Sequence, residues 1–150
     1  MKQMTKDKTL VFVFSWDLKK VYLLRKLRPK WQEDFLNGVG GKVEKGESFD
    51  ACAIRETKEE INIDIDKRKL QNLGVIEAKD FRVRIYAYRT KQKPKQMEDE
   101  ELKITLVKSI PNLKVIPNLR MLVPYAQYVL DGNDINVREY ISSTLIIKFR

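Results

Sequence analysis

The sequence contains no histidine, a single cysteine (Cys52), six glycines and five prolines in 150 residues. Without imidazole there is no histidine base or histidine-activated nucleophile, and most zinc sites are excluded. Any metal must then be held by oxygen. One cysteine cannot build an internal disulfide framework and fits a reducing, cytoplasmic setting. Long apolar runs are missing as well: residues 9–14 form one of the longest, far short of the roughly 20 residues that cross a bilayer. The opening "MKQMTKDKTL" has charge but no apolar core segment, so neither a secretory signal nor a membrane association is expected.

Positive charge is what the chain has in excess. Thirty Lys and Arg against 21 Asp and Glu leave a net charge of +9. That balance suits a polyanionic partner such as nucleotide, RNA or DNA, or it serves solubility alone. The length suits one domain over residues 1–150, with enough chain to bury a core. Apolar periodicity predicts strands over 9–14 and 21–25, a hairpin of 72–78 and 81–89, and a strand over 102–107. It predicts helices over 48–61, with Ser48 as N-cap, and over 117–130, with Pro124 near the first regular turn. The tail, 137–149, reads as extended. Strands before, between and after two helices give the α/β class, an α/β/α sandwich around a mixed central sheet. Oligomeric state is not legible at this level.

One stretch, "GGKVEKGESFDACAIRETKEEINI" (40–63), carries more than fold information. At about 100° per residue, Glu59 and Glu60 fall roughly 60° to one side and 40° to the other of Glu56, so three carboxylates share one arc. Ala53, Thr57 and Ile61 form an apolar stripe beside that arc, so the helix can pack on a sheet and hold its carboxylates at a cleft edge. Such crowding raises carboxyl pKa values unless a cation intervenes, and Mg²⁺ prefers carboxylate oxygen. Gly38, Gly40 and Gly41 permit close backbone approach, with amides turned toward phosphate. Asn62 suits a left-handed C-cap. A charged helix of this kind is also the ordinary solvated surface of many proteins.

The spacing decides between the two. Gly41, Glu47, Arg55, Glu56, Glu59, Glu60 and Ile63 stand in the register of the Nudix box, and the chain resembles the Nudix hydrolases. Thr57 replaces the usual aliphatic residue and Asn62 the usual glycine. The resemblance implies that family's α/β/α fold and Mg²⁺- or Mn²⁺-dependent hydrolysis of a nucleoside diphosphate linked to another group. It implies Glu56 and Glu60 as principal metal ligands, Glu59 as an assisting one, and the carbonyl of Gly40 as a further ligand. It makes Arg55 the residue that orients the glutamates and Glu47 a support for the loop. A further glutamate beyond the box often serves as ligand or base. "MEDEEL" offers Glu98, Glu100 and Glu101, and Glu101, directly before a strand, is the expected one, with Glu98 next.

"FLNGVGGKVEKGE" is similar to MutT-type members acting on oxidised purine nucleoside triphosphates, giving a nucleoside monophosphate and pyrophosphate. That likeness implies base recognition by Asn37, or else a turn pair at Asn37-Gly38, and phosphate contacts from Gly41 and Lys42. In "VIPNLRML" Asn118 stands where mammalian oxidised-purine enzymes carry paired aspartates, so it is either a base contact or a helix N-cap. Tyr86, Tyr88, Trp31 and Phe35 are aromatic residues available for stacking or for packing. Hydrolysis at RNA 5′ ends and nucleotide or RNA sensing without turnover are the competing functions.

Overall fold

The computed structural model describes residues 6–133, 139–141 and 146–149. Its strands are β1 (Lys6–Ser15), β2 (Lys20–Arg25), β3 (Leu36–Asn37), β4 (Gln71–Glu77), β5 (Phe81–Thr90), β6 (Glu101–Leu106), β7 (Glu139–Ile141) and β8 (Ile146–Phe149). They form one sheet in the order β3-β2-β1-β5-β4-β8-β7, with β6 added on β2. β1 runs parallel to β5 and the other strand pairs are antiparallel, so the sheet is mixed. β1 is longer than its apolar run because all ten of its residues pair with β5. Polar Lys6 to Lys8 are held by that ladder, and Asp7 adds an ion pair to Arg82 at 2.9 Å.

Alternation along the strands feeds two cores. Leu10, Phe12 and Phe14 of β1 pack with Ile85 and Ala87 of β5 against Leu119, Leu122, Val123 and Ala126 of α2 (Leu119–Leu130). Val11, Val13, Tyr86 and Tyr88 face the opposite way, onto Ala53 and Ile61 of α1 (Phe49–Ile61). A helix on each face of a mixed sheet is the expected α/β/α sandwich. Tyr86 and Tyr88 are therefore core residues at 1% and 5% exposure, not stacking platforms.

The caps of α1 form as the sequence predicts. Ser48 Oγ accepts from the Ala51 N–H at 3.0 Å, and Asn62 takes the left-handed conformation at φ 58° while its N–H reaches the Lys58 carbonyl. Thr57, buried in the apolar stripe, donates its hydroxyl to the Ala53 carbonyl at 2.7 Å. α2 starts at Leu119, two residues after Pro117, and Pro124 lies inside it rather than in its first turn. Pro124 and Arg120, whose carbonyl it leaves without a helical partner, both sit on the exposed face, where water can serve that carbonyl. β6 ends at Leu106, and Val107 opens a short 3-10 turn. Of the tail predicted as extended, 139–141 and 146–149 are strands and the remainder lies outside the described residues. No helix among the described residues is long and apolar enough to cross a membrane.

Candidate active site

The glycine loop is wedged between β1 and α1. A Cβ at Gly40 (φ +151°) would lie 2.0 Å from the Thr9 carbonyl oxygen, and one at Gly41 would lie 2.5 Å from Glu56 Oε1. The loop is fixed on the sheet side by the Thr9 N–H donating to the Gly41 carbonyl at 2.9 Å. On the helix side the Gly40 N–H donates to Glu60 Oε2 at 3.4 Å. Glycine here is a requirement of space, and the space it leaves is filled by glutamate.

Arg55 organises the carboxylates. Its Nε and Nη2 donate to the two oxygens of Glu47 at 2.8 and 3.0 Å. Its Nη1 donates to Glu56 Oε1 at 2.9 Å and to Glu59 Oε2 at 3.1 Å, and Nη2 also reaches the Lys42 carbonyl at 3.2 Å. A planar fork satisfies several acceptors at fixed angles, which a lysine in its place would not do. These bonds, followed by one from the Glu44 N–H, hold the Glu47 carboxyl down at about 2. Glu47 thus stays charged and locks Arg55, and Arg55 sets the Glu56 and Glu59 rotamers.

Glu60 behaves in the opposite way. It is 8% exposed, and burial first, then the hydrogen-bonded Glu56 carboxyl, push its pKa well above the ordinary carboxylate range. Burial also raises Glu56. Two neighbouring carboxyls shielded from water cannot both ionise without a cation between them. Cys52 is no substitute nucleophile: burial raises its thiol to about 11, and it sits against Thr9 Oγ1 and the Lys42 carbonyl.

Glu56, Glu59 and Glu60 line a cavity of about 300 Å³, together with Leu24, Lys26 and Arg28 from β2 and the segment after it, and Glu98, Asp99 and Glu100. The acidic side chains of the lining offer carboxylate oxygen, the chemistry a hard divalent cation selects, and the shielded Glu56–Glu60 pair is the place where its charge would be compensated. Among the described residues no three of these carboxylates stand together as a ready metal site, and Glu56 and Glu59 are both hydrogen-bonded to Arg55.

Glu101 falls outside the lining. It opens β6 opposite Arg25, and its carboxylate pairs with Lys103 at 2.6 Å and with Arg25 at 3.7 Å. Strand alternation turns it away from the side that Glu100 occupies. Lys42 is exposed and also outside the lining. Asn37 lies in β3, with Nδ2 donating to Gln32 Oε1 at 3.1 Å and Oδ1 accepting from the Gly38 N–H at 2.8 Å. Asn118 is the N-cap residue of α2, but its side chain makes no capping hydrogen bond, and its Oδ1 is buried with no hydrogen-bond partner among the described residues. Leu36, beside Asn37, exchanges backbone hydrogen bonds with Lys114 and Ile116, so the segment leading to Asn118 runs next to β3. Trp31 is 66% exposed and Phe35 packs against the α2-side core.

Lys26, Arg28 and Asp99 are lining residues that the sequence does not single out, whereas Glu98 and Glu100 are two of the three glutamates that "MEDEEL" offers. The only sequence signal of the first three was a basic cluster, "RKLRPK", before the glycine loop, and an acidic one after β5. Neither cluster differs in composition from a solvated surface.

Comparison with known proteins agrees with this fold. The NUDIX domain family model matches residues 4–131. The dihydroneopterin triphosphate diphosphatase of Escherichia coli K12 is 32% identical over 74 residues, 49% of this chain and 47% of that protein. The chain thus spans about half the length of the curated relatives it matches. Among solved structures, the NUDIX domain of Shewanella oneidensis NrtR, complexed with ADP ribose, superposes with a TM-score of 0.74 at 13% identity, covering 86% of this chain and 90% of that one. A MutT NUDIX hydrolase from Burkholderia pseudomallei gives 0.68 at 16% identity, covering 81% and 97%. The E. coli dihydroneopterin triphosphate pyrophosphohydrolase gives 0.64 at 21% identity, covering 86% and 99%. With the glycine loop, the Arg55 hub and the glutamate face of α1 in the register of the Nudix box, the chain belongs to the Nudix family.

Proposed function

We propose that the protein is a Mg²⁺-dependent pyrophosphohydrolase that converts a nucleoside triphosphate, or a chemically similar heterocyclic triphosphate, to a monophosphate and pyrophosphate. The observation that carries the reading is the shielded Glu56–Glu60 carboxyl pair facing a cavity lined by further carboxylates. Glu56, Glu59, Glu60 and the Gly40 carbonyl would hold the cation, which in the bound state neutralises the phosphate chain and acidifies a bound water. Arg55 aims Glu56 and Glu59, and Glu47 keeps Arg55 in place. Glu98 takes the part first expected of Glu101, because it lines the cavity while Glu101 is engaged by Lys103 and Arg25.

The unpartnered Oδ1 of Asn118 is the second support. A buried acceptor without a donor costs about 1–3 kcal/mol, and an N–H of a purine or pterin ring would relieve it. Asn37, whose amide now bonds Gln32 and Gly38, offers a donor and an acceptor next to that segment. The E. coli relative's name points to a pterin triphosphate, and the MutT-like glycine loop points to a purine one.

A panel of dGTP, 8-oxo-dGTP, dihydroneopterin triphosphate and 5′-triphosphate RNA, assayed for pyrophosphate with Mg²⁺ or Mn²⁺, tests the reading. Release of pyrophosphate from at least one heterocyclic triphosphate, abolished by EDTA, is expected. Turnover that survives EDTA would contradict the oxygen site, activity confined to RNA would move the protein to 5′-end hydrolysis, and binding without turnover would make it a sensor. On the active substrate, Glu98→Gln is expected to lower turnover at least about tenfold while Glu101→Gln stays within about twofold. The reverse order would restore Glu101.

A further inference from the structure

We infer that Arg28 is a reserve phosphate-binding residue, held at the cavity by Asp99 and released to the substrate's phosphate chain when that chain arrives. The inference rests on the proposed triphosphate substrate. Among the described residues six carboxylates and two cations, Lys26 and Arg28, line the cavity. A polyphosphate therefore has two side-chain partners of the right sign there besides any metal.

The two cations are held very differently. Lys26 Nζ donates to Glu100 Oε1 at 3.0 Å, and these side chains are only 15% and 10% exposed. Glu100 Oε2 also accepts from the Leu27 N–H at 2.7 Å, so parting this pair would strand a shielded carboxylate. Arg28 lies on Asp99 through Nη2 to Oδ2 at 2.6 Å and Nη1 to Oδ1 at 3.4 Å, with side chains 65% and 60% exposed. Water can replace either partner of an exposed pair at little cost, so Arg28 is the cation that can change hands. Its guanidinium fork fits phosphate as well as carboxylate.

The backbone around the pair is anchored, so the exchange needs only a side-chain rotation. The Lys95 and Met97 N–H groups donate to the Ile61 and Glu60 carbonyls at 2.9 and 3.2 Å, tying the Asp99 segment to the end of α1. Lys26 N–H donates to the Phe35 carbonyl at 2.8 Å, and Lys26 O accepts from Asp34 N–H at 2.8 Å. The chain is thus fixed up to Leu27, one residue before Arg28.

The test is a double-mutant cycle on the affinity for α,β-methylene-dGTP with Mg²⁺, with kcat and KM for the substrate found in the panel measured alongside. Asp99→Asn is expected to tighten binding about two- to fivefold by freeing Arg28, the size an exposed pair contributes. Arg28→Ala is expected to weaken it about tenfold. In the Arg28→Ala background, Asp99→Asn is expected to have no further effect. Removing any acidic group from the cavity would also favour an anion, but that general effect would persist without Arg28. Equal tightening by Asp99→Asn in both backgrounds, or none in either, would therefore overturn the exchange. Absence of triphosphate hydrolysis and binding in the wild type would instead defeat the proposed function, and this inference with it. Melting temperatures within a few degrees of wild type, expected for exposed residues, exclude misfolding as the source of a change.

Discussion

Glu60→Gln is expected to lower turnover about a hundredfold or more while the metal-free protein becomes more stable. The substitution keeps the length of the side chain and its helix propensity, so α1 should persist. It removes an oxygen charge from the site at which a divalent cation would be compensated, and preorganised electrostatic groups of this kind carry roughly 10²–10³ in rate. An amide has no carboxylate to give up to the metal. The Gly40 N–H can still donate to the glutamine oxygen, so the loop contact at 3.4 Å need not be lost. A surface helix of solvated glutamates would respond differently, with activity unchanged within about twofold.

The stability half of this result follows from the sign of the Glu60 shift. The carboxyl is raised above its ordinary value of 4.5 by burial and by Glu56, so the folded state keeps a proton that the unfolded chain releases. The unfolded state binds fewer protons above that value, and stability falls as pH rises from about 4.5 through neutrality. Glu47 contributes in the other direction, since its depressed pKa stabilises the fold above 4.5 and that gain fades as pH drops toward about 2. Glu60→Gln removes only the first slope. Melting the wild type and Glu60→Gln without metal from pH 5 to pH 8 should show the wild type losing stability more steeply than the variant, which keeps only the slope of Glu56, itself raised by burial. Adding Mg²⁺ should raise the wild type more than the variant. Equal pH slopes would mean that Glu60 is ionised and well solvated in the folded protein.

What could be read from the sequence was mostly what neighbours along the chain determine. The span of α1, its Ser48 and Asn62 caps, and the arc of Glu56, Glu59 and Glu60 depend on contacts a few residues apart, and they form as the spacing implies. The α/β/α sandwich was legible from the order of strands and helices, and alternation along β1 and β5 divides its two cores. Long-range pairing was not legible. The extension of β1 to Lys6 depends on β5, 75 residues away at the Lys6–Phe81 pairing. The choice among Glu98, Glu100 and Glu101 depends on where β6 falls on β2. A shift of one residue swaps the faces of a strand, and the Arg25–Glu101 register sends Glu101 to Lys103 and Arg25. The Lys26–Glu100 pair bridges 74 residues, and no local pattern marks it. The position of Pro124 was misjudged because the start of α2 is set by packing of Leu119 and Leu122 on the sheet, not by Pro117.

Gly40→Ala is expected to be the most destabilising single-methyl change in the site, costing about 3 kcal/mol or more and lowering the melting temperature by roughly 6–12 °C. Two penalties combine there. The backbone at φ +151° is one that side chains rarely adopt, and the added Cβ would stand 2.0 Å from the Thr9 carbonyl oxygen. That oxygen belongs to the backbone of β1, which is held along its length by β5, so it cannot swing aside as a side chain would. The loop must lift instead, and lifting it breaks the Gly40 N–H contact to Glu60 and moves the Gly40 carbonyl that is proposed to face the cation. Gly46→Ala provides the control. Its φ of +79° is also left-handed, but no atom of the described residues lies within 4 Å of the added methyl, so only the backbone strain of about 1–2 kcal/mol applies. Urea unfolding of both variants, with turnover measured at a temperature where each remains folded, separates clash from strain. Gly40→Ala should lose activity at least as severely as Glu60→Gln even when fully folded, because it displaces two proposed site groups at once. A Gly40→Ala protein no less stable than Gly46→Ala and fully active would mean that the loop does not press on β1 as the geometry at Thr9 requires.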